Sequence, residues 1–83
     1  MNLSQFNKGQ TGTIAAIEGA DSDPITLRLM ELGLVQGSRV ELVHEAPYGG
    51  DPIAVRVRGT LIALRRSEAA RILIQRDISE VRA

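Results

Sequence analysis

A chain of 83 residues in which ten Lys and Arg balance ten Asp and Glu has room for one domain with a thin core, burying about 60% of its unfolded surface. Its formal charge of zero supplies no overall field to draw in phosphate backbones or anionic lipid. Without cysteine, disulfides, thiolate metal sites and cysteine nucleophiles are excluded together. The longest uncharged stretch, Gly9 to Ile17, falls far short of the ~18 apolar residues of a membrane span.

Leu3 and Phe6 are spaced for one helical turn, after which Gly9-Gln10-Thr11-Gly12 turns the chain into a first strand, Thr13 to Glu18. That strand ends in the turn-forming cluster from Gly19 to Pro24. Asp23 is placed to cap a helix whose first residue is Pro24, where a missing N–H costs nothing. Ile25, Leu29 and Leu32 then predict one inward apolar stripe, and Gly33 stops the helix in a left-handed conformation.

Leu34 to Gly37 connects to a segment of period two. Over Arg39 to Ala46, Val40, Leu42, His44 and Ala46 fall on one face, and Arg39, Glu41, Val43 and Glu45 on the other. Gly49-Gly50-Asp51-Pro52 is a turn: it lacks the longer frame and the lysine of a phosphate-binding loop, and its glycines supply positive φ angles. Ile53 to Arg58 alternates cleanly, Gly59-Thr60 reverses the chain, and Leu61 to Leu64 completes an antiparallel meander. Ser67 is placed to cap a short turn through Ala70 before a last strand, Ile72 to Ile74. Five short strands in so small a chain protect their edges best by closing up. The expected fold is mainly β, a five-stranded SH3-like barrel with one inserted helix and short helical turns. Residues 1–76 form the domain and 77–83 a frayed tail.

No constellation for catalysis emerges. His44 is the single histidine, with no serine or acid assignable to it by spacing. As a metal ligand it has Glu45 beside it, a thin signature, and the better reading places it at the mouth of the barrel over Val40 and Leu42. Asp21 and Asp23 are a pair only in sequence, one being needed as a helix cap. The excess of arginine over the lone Lys8 reads as compositional bias. Binding by an outer surface is therefore expected, with no cofactor. Two features suit it: Tyr48 at the tip of the glycine turn, and Met30 and Leu34, which lie off the inward stripe next to Arg28 and Glu31. Alternatively, the helix crosses an open barrel end and buries both Met30 and Leu34.

The run Leu29-Met30-Glu31-Leu32-Gly33-Leu34-Val35-Gln36-Gly37-Ser38-Arg39-Val40, with Ala46-Pro47-Tyr48-Gly49-Gly50-Asp51-Pro52 and Leu61-Ile62-Ala63-Leu64-Arg65, resembles the FeoA family over nearly the whole chain. The matched positions, Gly33, Gly37, Gly50-Asp51-Pro52 and Gly59 among them, are mostly turns and core. The resemblance implies a cytoplasmic, non-enzymatic accessory protein of ferrous-iron uptake. Such a protein binds a FeoB-like membrane transporter that carries a G-domain, and modulates its transport or GTPase activity without itself entering the membrane. It leaves room for weak self-association. The rival readings are a stand-alone relative of the C-terminal domain of metal-dependent repressors and an RNA-binding module, since Gly37-Ser38-Arg39-Val40-Glu41-Leu42-Val43 loosely resembles the KOW element of ribosome-associated barrels. Zero net charge and two aromatics argue against nucleic acid.

Overall fold

The computed structural model describes residues 1–20 and 22–75. The sequence readings for Asp21 and for the tail 77–83 lie outside the described residues. In chain order, a 3-10 turn at Leu3–Gln5 is followed by β1 (Thr11–Ile17), α1 (Pro24–Glu31), β2 (Arg39–Glu45), β3 (Ile53–Val57), β4 (Thr60–Leu64), α2 (Arg66–Ala69) and β5 (Ile72–Gln75).

All neighbouring strands are antiparallel, in the order β4-β3-β2-β1-β5. Alternate residues from every strand meet in one cluster: Ile14; Val40 and Leu42; Ile53, Val55 and Val57; Ile62 and Leu64; Ile72 and Ile74. A flat sheet could not bring both of its outer strands onto the same core, so the sheet curls around it. Leu3 and Phe6 plug that core from the 3-10 turn, and Leu29 and Leu34 from the helix segment.

Two β-bulges adjust the pattern. One lies between Ile14 and Ala16 in β1 and one between Leu42 and His44 in β2. The second overturns the expected face assignment. Val40 and Leu42 are buried, but the extra residue shifts the phase so that His44 pairs with Ala54 and is exposed, and it does not cap the core. Arg58 (φ 52°) and Gly59 (φ 79°) form the two-residue connection between β3 and β4. Two successive positive φ angles are what a tight hairpin needs to match strand twist, although arginine is an unusual choice for the first.

The short α2 starts two residues earlier than expected. Its N-cap is Arg65, and Glu68 reaches back to accept the Arg65 backbone N–H at 2.9 Å. Ser67 therefore sits inside the turn rather than capping it. The glycine turn is as expected, with Gly49 (φ 77°) and Gly50 (φ 69°) both left-handed.

Candidate functional site

The inserted helix is fixed at its start by polar bonds. Asp23 Oδ1 accepts the Ile25 N–H at 2.9 Å, and Arg71 Nη1 donates to Asp23 Oδ2 at 2.8 Å. The hydrogen bond from Arg71, then that from Ile25, holds the Asp23 carboxyl below the usual carboxylate range, since both favour its charged form. One turn on, the Thr26 hydroxyl donates to the Glu18 carbonyl at 3.3 Å and is buried.

That bond sets the helix phase, so the inward stripe is Thr26 and Leu29 rather than Ile25, Leu29 and Leu32. Gly33 (φ 101°) then ends the helix, and the Leu34 N–H bonds back to the Leu29 carbonyl at 3.1 Å. The left-handed residue swings the chain so that Leu34 drops into the core at 0% exposure. Of the two alternatives for Met30 and Leu34, each residue takes a different one: Leu34 is core and Met30 is surface.

Four large apolar side chains are left on the outside: Ile25 (37% exposed), Leu27 (44%), Met30 (41%) and Leu32 (38%). Ala16, Ile17, Thr26, Met30, Val35 and Gln36 line a shallow groove of about 210 Å³. At about 100° per residue Leu27 and Met30 lie on the flank of α1 that meets this groove, whereas Ile25 and Leu32 lie on the opposite flank of the buried Thr26 and Leu29 stripe, near Arg28; Arg28 and Glu31 are both exposed. Arg28 is not free to roam. Its guanidinium pairs with Glu68 of α2, whose carboxyl is held below its usual range first by the Arg65 N–H and then by Arg28.

Tyr48 projects from the loop between β2 and β3 and is 91% exposed. Its loop is braced by the Gly50 N–H to the Ala46 carbonyl (3.1 Å) and by Arg66 of α2. Arg66 was not singled out by the sequence, yet its side chain donates three hydrogen bonds. Its Nε donates to the Gly50 carbonyl (2.8 Å), Nη1 to the Ser4 carbonyl (2.6 Å) and Nη2 to Glu45 Oε1 (2.5 Å), while its backbone N–H donates to Asp51 Oδ1 (2.9 Å). A rigid planar fork can join three elements in this way where lysine could not. Glu45 is thereby committed to an ion pair, and no group of three or more His, Cys, Asp or Glu able to hold a metal occurs among the described residues.

Of the residues named from sequence, Arg28, Met30 and Glu31 are all exposed on α1 but Arg28 and Met30 point to different sides of it, Tyr48 stands on a separate loop and Leu34 is internal. Ile25, Leu27, Leu32 and the groove residues were missed. The one signal was Thr26, a polar residue three before Leu29. Its burial depends on a hydrogen bond to a residue eight positions away in the sequence, which no periodicity records.

The FeoA domain model matches residues 1–76. A curated fusion of Fe(2+) transport protein A with the Fe(2+) transporter FeoB, from Porphyromonas gingivalis, is 32% identical over 75 residues, which are 90% of this chain; the chain spans 8% of that relative's length. Among solved structures, a zinc complex of FeoA from Stenotrophomonas maltophilia, described as an SH3 domain protein, superimposes with a TM-score of 0.81 at 37% identity. It covers 90% of this chain and 89% of its own. FeoA from Chlorobium tepidum gives 0.78 at 35% identity, over 89% and 68% of the two chains. A manganese-dependent transcriptional repressor gives 0.73 at 25% identity, the likeness being to 40% of the repressor's chain.

Proposed function

This chain belongs to the FeoA family, and on that premise we propose that it is a non-enzymatic cytoplasmic partner of a FeoB-like ferrous-iron transporter. It docks through the outer face of α1 and alters the transporter's movement of Fe²⁺ or its GTPase activity. The fold is SH3-like, as in the solved FeoA structures, and the family is tied to ferrous-iron transport by the relative in which the two proteins are one chain.

One observation carries the docking assignment. Met30, Leu27 and the adjoining groove keep apolar surface in solvent on one flank of a helix whose own attachment to the core is complete through Thr26, Leu29 and Leu34. Apolar side chains gathered on a face the fold does not need are characteristic of interaction sites. Tyr48 is a second, detached contact.

Regulation by docking requires that the chain bind one conformation of the transporter better than another. The test is a titration of the purified chain against the transporter in nanodiscs, with and without a GTP analogue. Saturable binding whose affinity changes with nucleotide is expected, and Met30→Asp should weaken it at least ~10-fold, one hot-spot contact. Binding indifferent to Met30→Asp would remove α1 as the docking surface, and no binding in any nucleotide state would remove direct regulation.

A further inference from the structure

The two outer strands of the sheet are treated differently. The outer side of β5 is covered by the N-terminal residues: Asn2 bridges Leu73, and the Ile74 N–H bonds to the Met1 carbonyl at 2.9 Å. Among the described residues no strand pairs with the outer side of β4 and no backbone hydrogen bond reaches Leu61 or Ala63 from that side. Its pairing with β3 runs Val57↔Thr60, Arg56↔Leu61, Val55↔Ile62, Ala54↔Ala63 and Ile53↔Leu64. A two-residue hairpin makes its closing pair, Val57 and Thr60, a hydrogen-bonded one, so Thr60, Ile62 and Leu64 spend their N–H and C=O groups on β3. Leu61 and Ala63 turn theirs outward.

Natural edge strands are blunted by charge, proline, a bulge or a cover. β4 reads Thr-Leu-Ile-Ala-Leu, without charge or proline, and its register with β3 is unbroken. Leu61 is 59% exposed and Ala63 is exposed beside it. Protection has been omitted where it would be expected, and a bare, regular edge is what strand addition uses.

The charges around the edge select the occupant. Arg58 stands at one end of β4 and Arg65 at the other, with Arg56 opposite Leu61 on β3. A second copy pairing antiparallel about Ile62 would bring Arg58 of each copy opposite Arg66 of the other and one residue from its Arg65, setting like charges together twice. An extended segment carrying carboxylates at its ends and apolar residues between them meets no such repulsion. The hairpin turn adds to the basic end: Thr11, Arg39, Glu41, Arg56, Arg58 and Gly59 line a recess of about 200 Å³.

We propose that β4 is a strand-addition site for an extended acidic segment of a partner protein, distinct from the α1 surface. The partner segment hydrogen-bonds to the backbone of Leu61 and Ala63 and places carboxylates against Arg58 and Arg65. This reading is independent of the docking of α1.

Amide NMR on the full chain tests it, with a synthetic capped peptide of alternating valine and threonine bracketed by glutamates as probe and the same peptide bracketed by lysines as control. In the free chain the amides of Leu61 and Ala63 should exchange rapidly while those of Thr60, Ile62 and Leu64 are protected. The glutamate peptide should slow Leu61 and Ala63 by about tenfold or more, with shifts confined to β4 and its flanking arginines, and the lysine peptide should not. Ala63→Pro removes an outward N–H that β3 does not use and should abolish the effect. Should that variant fail to fold, Arg58→Asn, which suits a left-handed turn position better than arginine, should raise the Tm and yet weaken the glutamate peptide several-fold. Equal binding of the two peptides, or shifts on α1 instead, would overturn the proposal. So would protection of Leu61 and Ala63 without peptide, whether it grows with concentration, as pairing of two copies requires, or disappears when the chain is cut after Gln75.

Discussion

The polar end of the molecule around Arg66 and the apolar face around Met30 are built on opposite terms. At Arg66 every charge has an internal use: the guanidinium binds Gly50, Ser4 and Glu45, and Asp51 holds the backbone of α2. At Met30 the internal contacts are complete without the outer side chains, and Leu27 and Met30 remain in water. An arginine cluster invites a ligand-binding interpretation, and an exposed helix looks like mere cover for a core. The hydrogen bonds reverse that impression, because groups already satisfied by the fold have little left to offer a partner. The face the fold leaves unused is the one available for recognition.

The sharpest challenge to this contrast sets Leu34 against Met30, four residues away. Leu34→Asp puts a carboxylate at a site of 0% exposure and should cost about 4 kcal/mol or more, unfolding a domain this size. Circular dichroism would detect that loss, and a folded Leu34→Asp protein would break the assignment. Next in size, Arg66→Ala removes three donated bonds and strands Glu45, for a loss of about 2 kcal/mol and a Tm roughly 10 °C lower. A calorimetric Tm that does not move would mean the fork is surface decoration.

Gly12 offers a smaller check on core packing at the Phe6 side. A Cβ there would lie 2.5 Å from Ile74 Cγ2 and 3.0 Å from the Phe6 ring, so Gly12→Ala should destabilise by about 1–3 kcal/mol through overpacking. Urea unfolding would measure it. Met30→Asp should stay within about 1 kcal/mol of the parent, because the site is open to water. A large loss there would show that the helix face is structural after all.

The smallest effect is acidic. Asp23 and Glu68 have folded pKa values below their ordinary ones. Each therefore adds stability that is present above the unfolded carboxylate value near pH 4 and is lost as pH falls through the lower folded value. Asp23→Asn should therefore lower the Tm modestly near neutrality, where the contribution is present, and meet the parent curve as pH falls below about 4, so that the acid limb is flatter.

Much of the architecture could be read from residue patterns. Alternation in Ile53 to Val57, the Asp23-Pro24 start and the Gly33 stop are local signals with local causes, and each element lies within a few residues of its expected place. The failures have other origins. His44 left the core face through a bulge, Ser67 lost its capping role to Arg65, and Ile25 and Leu32 turned out of the expected inward stripe. For His44 and the helix stripe, pairing with β3 and the Thr26–Glu18 bond overruled a periodic pattern, whereas at Ser67 a local competitor, Glu68, capped the turn from three residues away.

Zero net charge, the missing cysteines, the turn glycines and the apolar alternation, all present in the sequence, determined a small mainly β domain and its family resemblance. They act over a few residues or on the whole chain at once. The tertiary structure decided which helix face is buried, where Arg66 reaches, and that β4 is left open while β5 is covered. Those outcomes depend on hydrogen bonds such as Thr26 to Glu18 and Arg66 to Ser4, whose partners become neighbours only after the sheet has curled.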